Sequence, residues 1–196
     1  MLLALAATQA AAQGQESVRL RAGDPLPATT FLDQSGKPFT FASLRGKYVF
    51  IAFIYTRCKD ADECPLVSAH VAQLQNRVDD GTRLVEVTID PAYDRPPVLA
   101  AYARTYGFRT GRVTLLTGEP RAVLRFASAL GVQTFTDAKY GFVHSENAVL
   151  VDPRGKIADI FDGTSWTTDE IVSVITHLRN RPRSFWEGLL KGLSRF

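Results

Sequence analysis

The chain has little cysteine: two in 196 residues. That excludes the disulfide framework that staples small secreted folds together. It also lacks the C-x-x-C pair of a thioredoxin-type redox site, because Cys58 and Cys64 are separated by five residues. Neither charge sign is in large excess. The formal net charge of +3 is too weak to argue for nucleic acid as a partner. No apolar run is long enough to span a bilayer, and the chain has no internal repeat or low-complexity linker. What is left is an ordinary globular balance, 45% hydrophobic and 22% charged, enough for one domain with a good core.

Taken in order, Met1 to Ala12 reads as a signal-peptide remnant: a short apolar run, then Ala10-Ala11-Ala12 as a small-x-small cleavage site. Export would place the cysteines in an oxidising compartment, the periplasm or the outer face of the cytoplasmic membrane. A single domain is expected over residues 20–180. Thr29 to Leu32 and Pro38 to Phe41 form a β-hairpin around the Asp33-to-Lys37 turn, and Ser43 to Lys47 a short helical turn ending at Gly46. Tyr48 to Tyr55 is apolar on both faces, as in a central strand buried between helices. Val67, Val71, Leu74 and Val78 recur on one helix face. Strands follow at Arg83 to Asp90 and Val113 to Leu116, with helices at Val98 to Tyr106 and from Pro120 to Gly131. Residues 132–145 read as a variable connection. Ala148 to Val151 and Lys156 to Phe161 then make a second hairpin, and Thr167-x-x-Glu170 caps a last helix. The order is hairpin, β-α-β-α-β-α, hairpin, α. That predicts an α/β, thioredoxin-like fold: a central mixed sheet flanked by helices, with an N-terminal β-hairpin. Residues 181–196 form a separate amphipathic tail. Phe185, Trp186, Leu189, Leu190 and Leu193 share one helical face, suited to packing on the domain, on a partner, or in a membrane interface through 183–196.

The chemistry concentrates between Tyr55 and Pro65. This stretch carries both thiols from the end of the buried strand to the start of a helix, whose positive N-terminus favours thiolate. Of the three histidines, His144 lies in the loop that such a sheet places beside the cysteines. Two thiolates and one imidazole make a soft three-donor set suited to copper, whereas zinc ordinarily takes a fourth ligand. His70 and His177 are expected to be solvated helix residues. Asp60, Asp62 and Glu63 are expected as a solvated acidic loop, with a metal-attracting role as the sharper reading. They also oppose thiolate formation.

The runs Phe53-Ile54-Tyr55-Thr56-Arg57-Cys58, Cys64-Pro65, Thr88-Ile89-Asp90-Pro91 with Asp94, and Val143-His144-Ser145 with Leu150-Val151-Asp152 carry a resemblance. Through them, and the helix from Val98 to Tyr106, most of Gly23 to Leu178 resembles the Sco/SenC family of thioredoxin-like copper-binding proteins. The resemblance implies that Cys58, Cys64 and His144 bind Cu(I) or Cu(II). It also implies that copper, or reducing equivalents, go to the subunit of cytochrome c oxidase that carries the dinuclear copper centre, or to another exported copper protein. The family spaces its cysteines C-x-x-x-C; here the loop is two residues longer and acidic. The alternative function is a thiol–disulfide oxidoreductase acting on exported proteins, with Cys58 and Cys64 as the redox-active pair. Enzymes of that kind pair C-x-x-C with a cis-proline before the facing strand, and no proline lies between Pro120 and Pro153. A peroxiredoxin-like peroxidase is a weaker third reading, suggested only by Thr56-Arg57-Cys58.

Overall fold

The run from Tyr48 becomes a strand with six of its seven residues buried, and the sheet is built outward from it. The computed structural model describes residues 19–137 and 141–180. The expected signal-peptide remnant and the amphipathic tail lie outside them. In chain order the strands are β1 (Phe31–Asp33), β2 (Pro38–Phe39), β3 (Tyr48–Ile54), β4 (Thr82–Thr88), β5 (Val113–Thr117), β6 (Thr134–Asp137), β7 (Gly141–His144), β8 (Asn147–Val151) and β9 (Ile157–Asp162). The helices are α1 (Cys64–Leu74), α2 (Pro96–Thr105), α3 (Pro120–Ala129) and α4 (Thr168–Asn180), with a single 3-10 turn at Phe41–Leu44. Each of the first three helices carries proline in its first turn, where no helical hydrogen bond is lost. The fourth starts on the expected cap, the Thr167 hydroxyl accepting from the Glu170 amide at 3.2 Å.

The main sheet has the order β2-β1-β5-β4-β3-β8-β9. The β3–β4 and β4–β5 pairs are parallel and the outer pairs antiparallel, so the sheet is mixed, as the α/β, thioredoxin-like reading requires. The N-terminal hairpin is part of this sheet, extending its edge beside β5. On one face Phe126 of α3 packs against Phe31 at 5.1 Å and stacks on Phe41 at 5.3 Å between ring centroids. On the other, Phe50 meets Trp166 at 5.0 Å, under α1 and α4. Among the described residues no helix is long and apolar enough to cross a membrane.

Three differences from expectation have physical causes. The connection at 132–145 contains the two-stranded ribbon β6–β7, whose register pairs Thr134 with His144. A two-residue alternation this short is not readable without its partner strand. Helix α1 ends at Leu74, so Val78 reaches the core from a following turn. His70 is not a solvated helix residue. It is half-buried, its ring 5.1 Å from Trp166, and burial lowers its pKa. His177 is exposed, as expected.

Glu86 is the residue that the hydrophobic pattern of β4 concealed. It lies mid-strand, 1% exposed, and among the described residues neither carboxyl oxygen has a hydrogen-bond partner of normal geometry. Burial raises its pKa from 4.5 to about 8, only partly offset by the nearby Ser68 hydroxyl, itself 2.8 Å from the Tyr102 hydroxyl. The folded state therefore holds a proton that the unfolded chain releases above about pH 4.5. Stability from this group is full below that pH and falls as pH rises toward about 8, at roughly 1.4 kcal/mol per pH unit where steepest. Chemical denaturation at several pH values is expected to show that Glu86→Gln flattens the decline relative to wild type. Parallel curves for the two proteins would refute it.

Candidate metal centre

The centre is assembled by strand pairing. β3 and β8 run antiparallel with Ala52 opposite Ala148. The chain leaving β3 and the chain entering β8 therefore meet at one end of the sheet. The first carries Cys58 and Cys64; the second carries His144. Their meeting places Cys64 Sγ 3.5 Å from His144 Nε2, across 80 positions of sequence.

Both arms are held from behind. Asp94, fully buried, accepts from the Thr56 amide at 3.0 Å, from the Thr56 hydroxyl, and from the Thr88 hydroxyl at 2.5 Å. Its pKa is raised by burial, which those hydrogen bonds oppose. Arg57 is bound to Asp90 at 2.5 Å and lies over the Tyr93 ring at 4.2 Å. This committed guanidinium gives no support to the peroxidase reading. On the other arm, the Ser145 hydroxyl accepts from the Gln133 amide at 2.9 Å and donates to the Gly131 carbonyl at 3.1 Å. The Asn147 side-chain amide donates to the Leu130 carbonyl at 3.2 Å. Gly131 has φ +84°, and a Cβ there would stand 2.8 Å from the Asn147 side chain; only glycine suits that approach.

His144 is 5% exposed, and burial holds its pKa below the ordinary imidazole value. It is neutral at pH 7, the form that coordinates metal. Its Nδ1 lies 3.1 Å from the Ser145 carbonyl, an acceptor only, so Nδ1 carries the proton and Nε2 the lone pair. The Tyr55 ring stands edge-on at 5.6 Å.

The two cysteines are free thiols with opposite character. Cys64 is the first residue of α1 and fully buried. A hydrogen bond donated to Cys58, and then burial, push its thiol up. Cys58 is partly exposed. It accepts from the Cys64 thiol, from the backbone amides of Cys64 and Asp60 and from the Tyr55 hydroxyl, which outweigh burial and bring it down to about 6. The positive helix N-terminus thus acts on Cys58, while Cys64, which begins the helix, keeps its proton.

Asp60 and Asp62 are exposed as expected, but Glu63 is half-buried, its Oε2 3.6 Å from Cys58 Sγ. A carboxylate there opposes a thiolate at Cys58, yet Cys58 stays the more acidic of the pair. Sequence reasoning missed Glu146. Its Oε1 lies 3.2 Å from His144 Nε2, and its side chain is 13% exposed. Burial first, and then the Glu63 charge, raise its pKa to about 8. Among the described residues, the donor atoms of Cys64, His144 and Glu146 all lie within 4.8 Å of one another. The only signal of Glu146 in the sequence was an acid two places after His144.

The family model described as SCO1/SenC matches residues 26–180. A protein of Stutzerimonas stutzeri named for copper binding is 33% identical over 140 residues, covering 67% of this chain. The chain spans 66% of that protein's length. BsSco, described as a member of the Sco family of cytochrome c oxidase assembly proteins and as containing a disulfide switch, superposes with TM-score 0.68 at 25% identity, covering 81% of this chain and 96% of its own. Copper-bound yeast Sco1 superposes with TM-score 0.68 at 23% identity, covering 84% of this chain and 94% of its own; that likeness bears on the fold.

Exposure and acidity both single out Cys58 as the reactive thiol. Brief alkylation at pH 7, read by mass spectrometry of the digested protein, is expected to modify Cys58 at least about tenfold faster than Cys64. Equal rates would mean that the two sulfurs are not differentiated as described.

Proposed function

The chain belongs to the SCO1/SenC family, and on that premise we propose that it is a copper-binding metallochaperone. In this reading Cys58, Cys64 and His144 hold one copper ion, which passes to the oxidase subunit carrying the dinuclear copper centre or to another exported copper protein. The observation that carries the proposal is the 3.5 Å approach of Cys64 Sγ to a neutral His144 Nε2. A buried thiol and an uncharged imidazole, with a second thiol in the adjoining loop, are a soft set that suits copper. Cys58 is the group that a copper ion meets first, since it is the accessible and more acidic thiol. Cys64 gives up its proton as it coordinates, so uptake releases protons and weakens toward acid pH. Residues 56–63 are anchored at both ends, by Asp94 at Thr56 and by helix α1 at Cys64. The longer C-x5-C loop costs little in closure entropy and gives Cys58 freedom to reach in. The cell envelope, the periplasm or the outer face of the cytoplasmic membrane, is the compartment proposed, supported by the signal-peptide character of residues 1–12.

A second reading is favoured by one observation. An accessible, acidified Cys58 beside a buried, proton-bearing Cys64 is also how a nucleophilic thiol and a resolving thiol are arranged. Turnover of a model disulfide by the metal-free protein would support a thiol–disulfide oxidoreductase; a slow stoichiometric reaction would not.

Copper titration of the reduced protein against a chromophoric chelator is expected to give one ion per chain. Cys58→Ala, Cys64→Ala and His144→Ala should each weaken binding by more than the roughly 10- to 100-fold typical of a lost supporting residue. Unchanged affinity in His144→Ala would remove the histidine from the site.

A further inference from the structure

Resting on the copper reading, we propose that Glu146 is a fourth ligand. The site then holds its ion through two sulfurs, one imidazole nitrogen and one carboxylate oxygen, and favours Cu(II) over Cu(I). Three observations carry it. The first is direction. Ser145 occupies Nδ1 of His144 at 3.1 Å, and the remaining nitrogen faces Glu146 Oε1 at 3.2 Å and Cys64 Sγ at 3.5 Å. Once Cys64 and Glu146 give up their protons, three electron-pair donors converge on one space, where a shared cation satisfies all of them.

The second is spacing. Donors about 2.0–2.3 Å from one ion stand roughly 2.8–3.3 Å apart at neighbouring positions of a tetragonal site, the geometry Cu(II) prefers, and roughly 3.3–3.8 Å apart in a tetrahedral one; the separations of 3.2 and 3.5 Å fall in that span, and the third pair lies within 4.8 Å. Glu146 Oε1 is buried, with no hydrogen-bond partner of normal geometry among the described residues. A residue whose only task was to orient the imidazole would bind the nitrogen facing away from the metal. That place is taken by the Ser145 carbonyl, and Glu146 faces the ligating nitrogen instead.

The third is rigidity. The Glu146 carbonyl accepts from the Gly163 amide at 2.6 Å. Ser145 and Asn147 on either side are tied to residues 130–133. Backbone held this way presents the carboxylate at a set position. The ligand chemistry gives the oxidation-state preference. A carboxylate is a hard anionic donor, and it adds a third negative charge to two thiolates. The divalent ion neutralises more of that charge and suits oxygen better.

The test compares wild type with Glu146→Gln and Glu146→Leu. The leucine variant places an apolar residue at this largely covered position, 13% exposed, and guards against loss of folding. Glu63→Gln removes a carboxylate of equal charge that lies beside Cys58 and separates ligation from through-space charge. Each protein is loaded with Cu(II) for electron paramagnetic resonance, and Cu(I) and Cu(II) affinities are measured by competition. Both Glu146 variants are expected to change the copper hyperfine pattern. They should lower the Cu(II)-to-Cu(I) affinity ratio about tenfold, a rise of about 59 mV in the one-electron potential. Glu63→Gln should leave the hyperfine pattern as in wild type. Copper bound by both Glu146 variants with wild-type spectra and affinity ratio overturns the fourth ligand while leaving the copper reading intact. A wild-type protein that takes up no copper overturns both.

Discussion

The antiparallel pairing of β3 with β8 is the constraint on which the site depends. With Ala52 opposite Ala148, the residue four places before Ala148 and the loop after β3 must emerge at the same edge. A slip of one residue would turn every side chain of β8 to the opposite face. It would carry the wholly buried run from Asn147 to Val151 out of register with its core contacts. The hydrophobic requirement of two adjoining strands therefore fixes a distance between sulfur and nitrogen. Packing of this kind is far stronger than any single polar contact in the loop, which is why a site built at the end of β7 and the start of α1 is well placed.

Around that constraint the structure divides into what is rigid and what is free. Asp94 and α1 clamp the cysteine loop at its ends, and Ser145 and Asn147 stitch the histidine arm to the residues after α3. Cys64, His144 and Glu146 all lie on the clamped side. Cys58 alone sits within the loop, partly exposed. Cys58 is thus the donor of this cluster most open to solvent, held by hydrogen bonds and not by a secondary-structure element.

The electrostatics are those of a site that is costly by itself. Thiols, an imidazole lone pair and the carboxyls of Glu63 and Glu146 are crowded into a small, partly desolvated volume, and their charges repel. Protons relieve the cost: the hydrogen bond to Cys58 and burial raise Cys64, and burial first, then the neighbouring charge of Glu63, raises Glu146. A cation relieves it as well. Glu86 shows that this fold tolerates a buried carboxyl elsewhere, but there the group lies inside the core with hydroxyls, those of Ser68 and Tyr102, as its polar neighbours.

Much was legible in the chain alone. Periodicity and turn residues determined the strands and helices, because each local pattern agrees with the buried face that it serves. The cysteine loop, and His144 just before a strand, followed from residue type and position. What only the tertiary structure decided is the role of groups whose meaning lies in their neighbours. Glu146 and Glu86 are ordinary acids in sequence, and only the burial of one beside His144 and the other beneath α1 makes them unusual. His70 lies off the apolar face of its helix and is half-buried with the Trp166 ring against it. The cysteines could be located but not told apart: which one is acidic depends on burial and on where the α1 amides point, and these exist only once the sheet has closed.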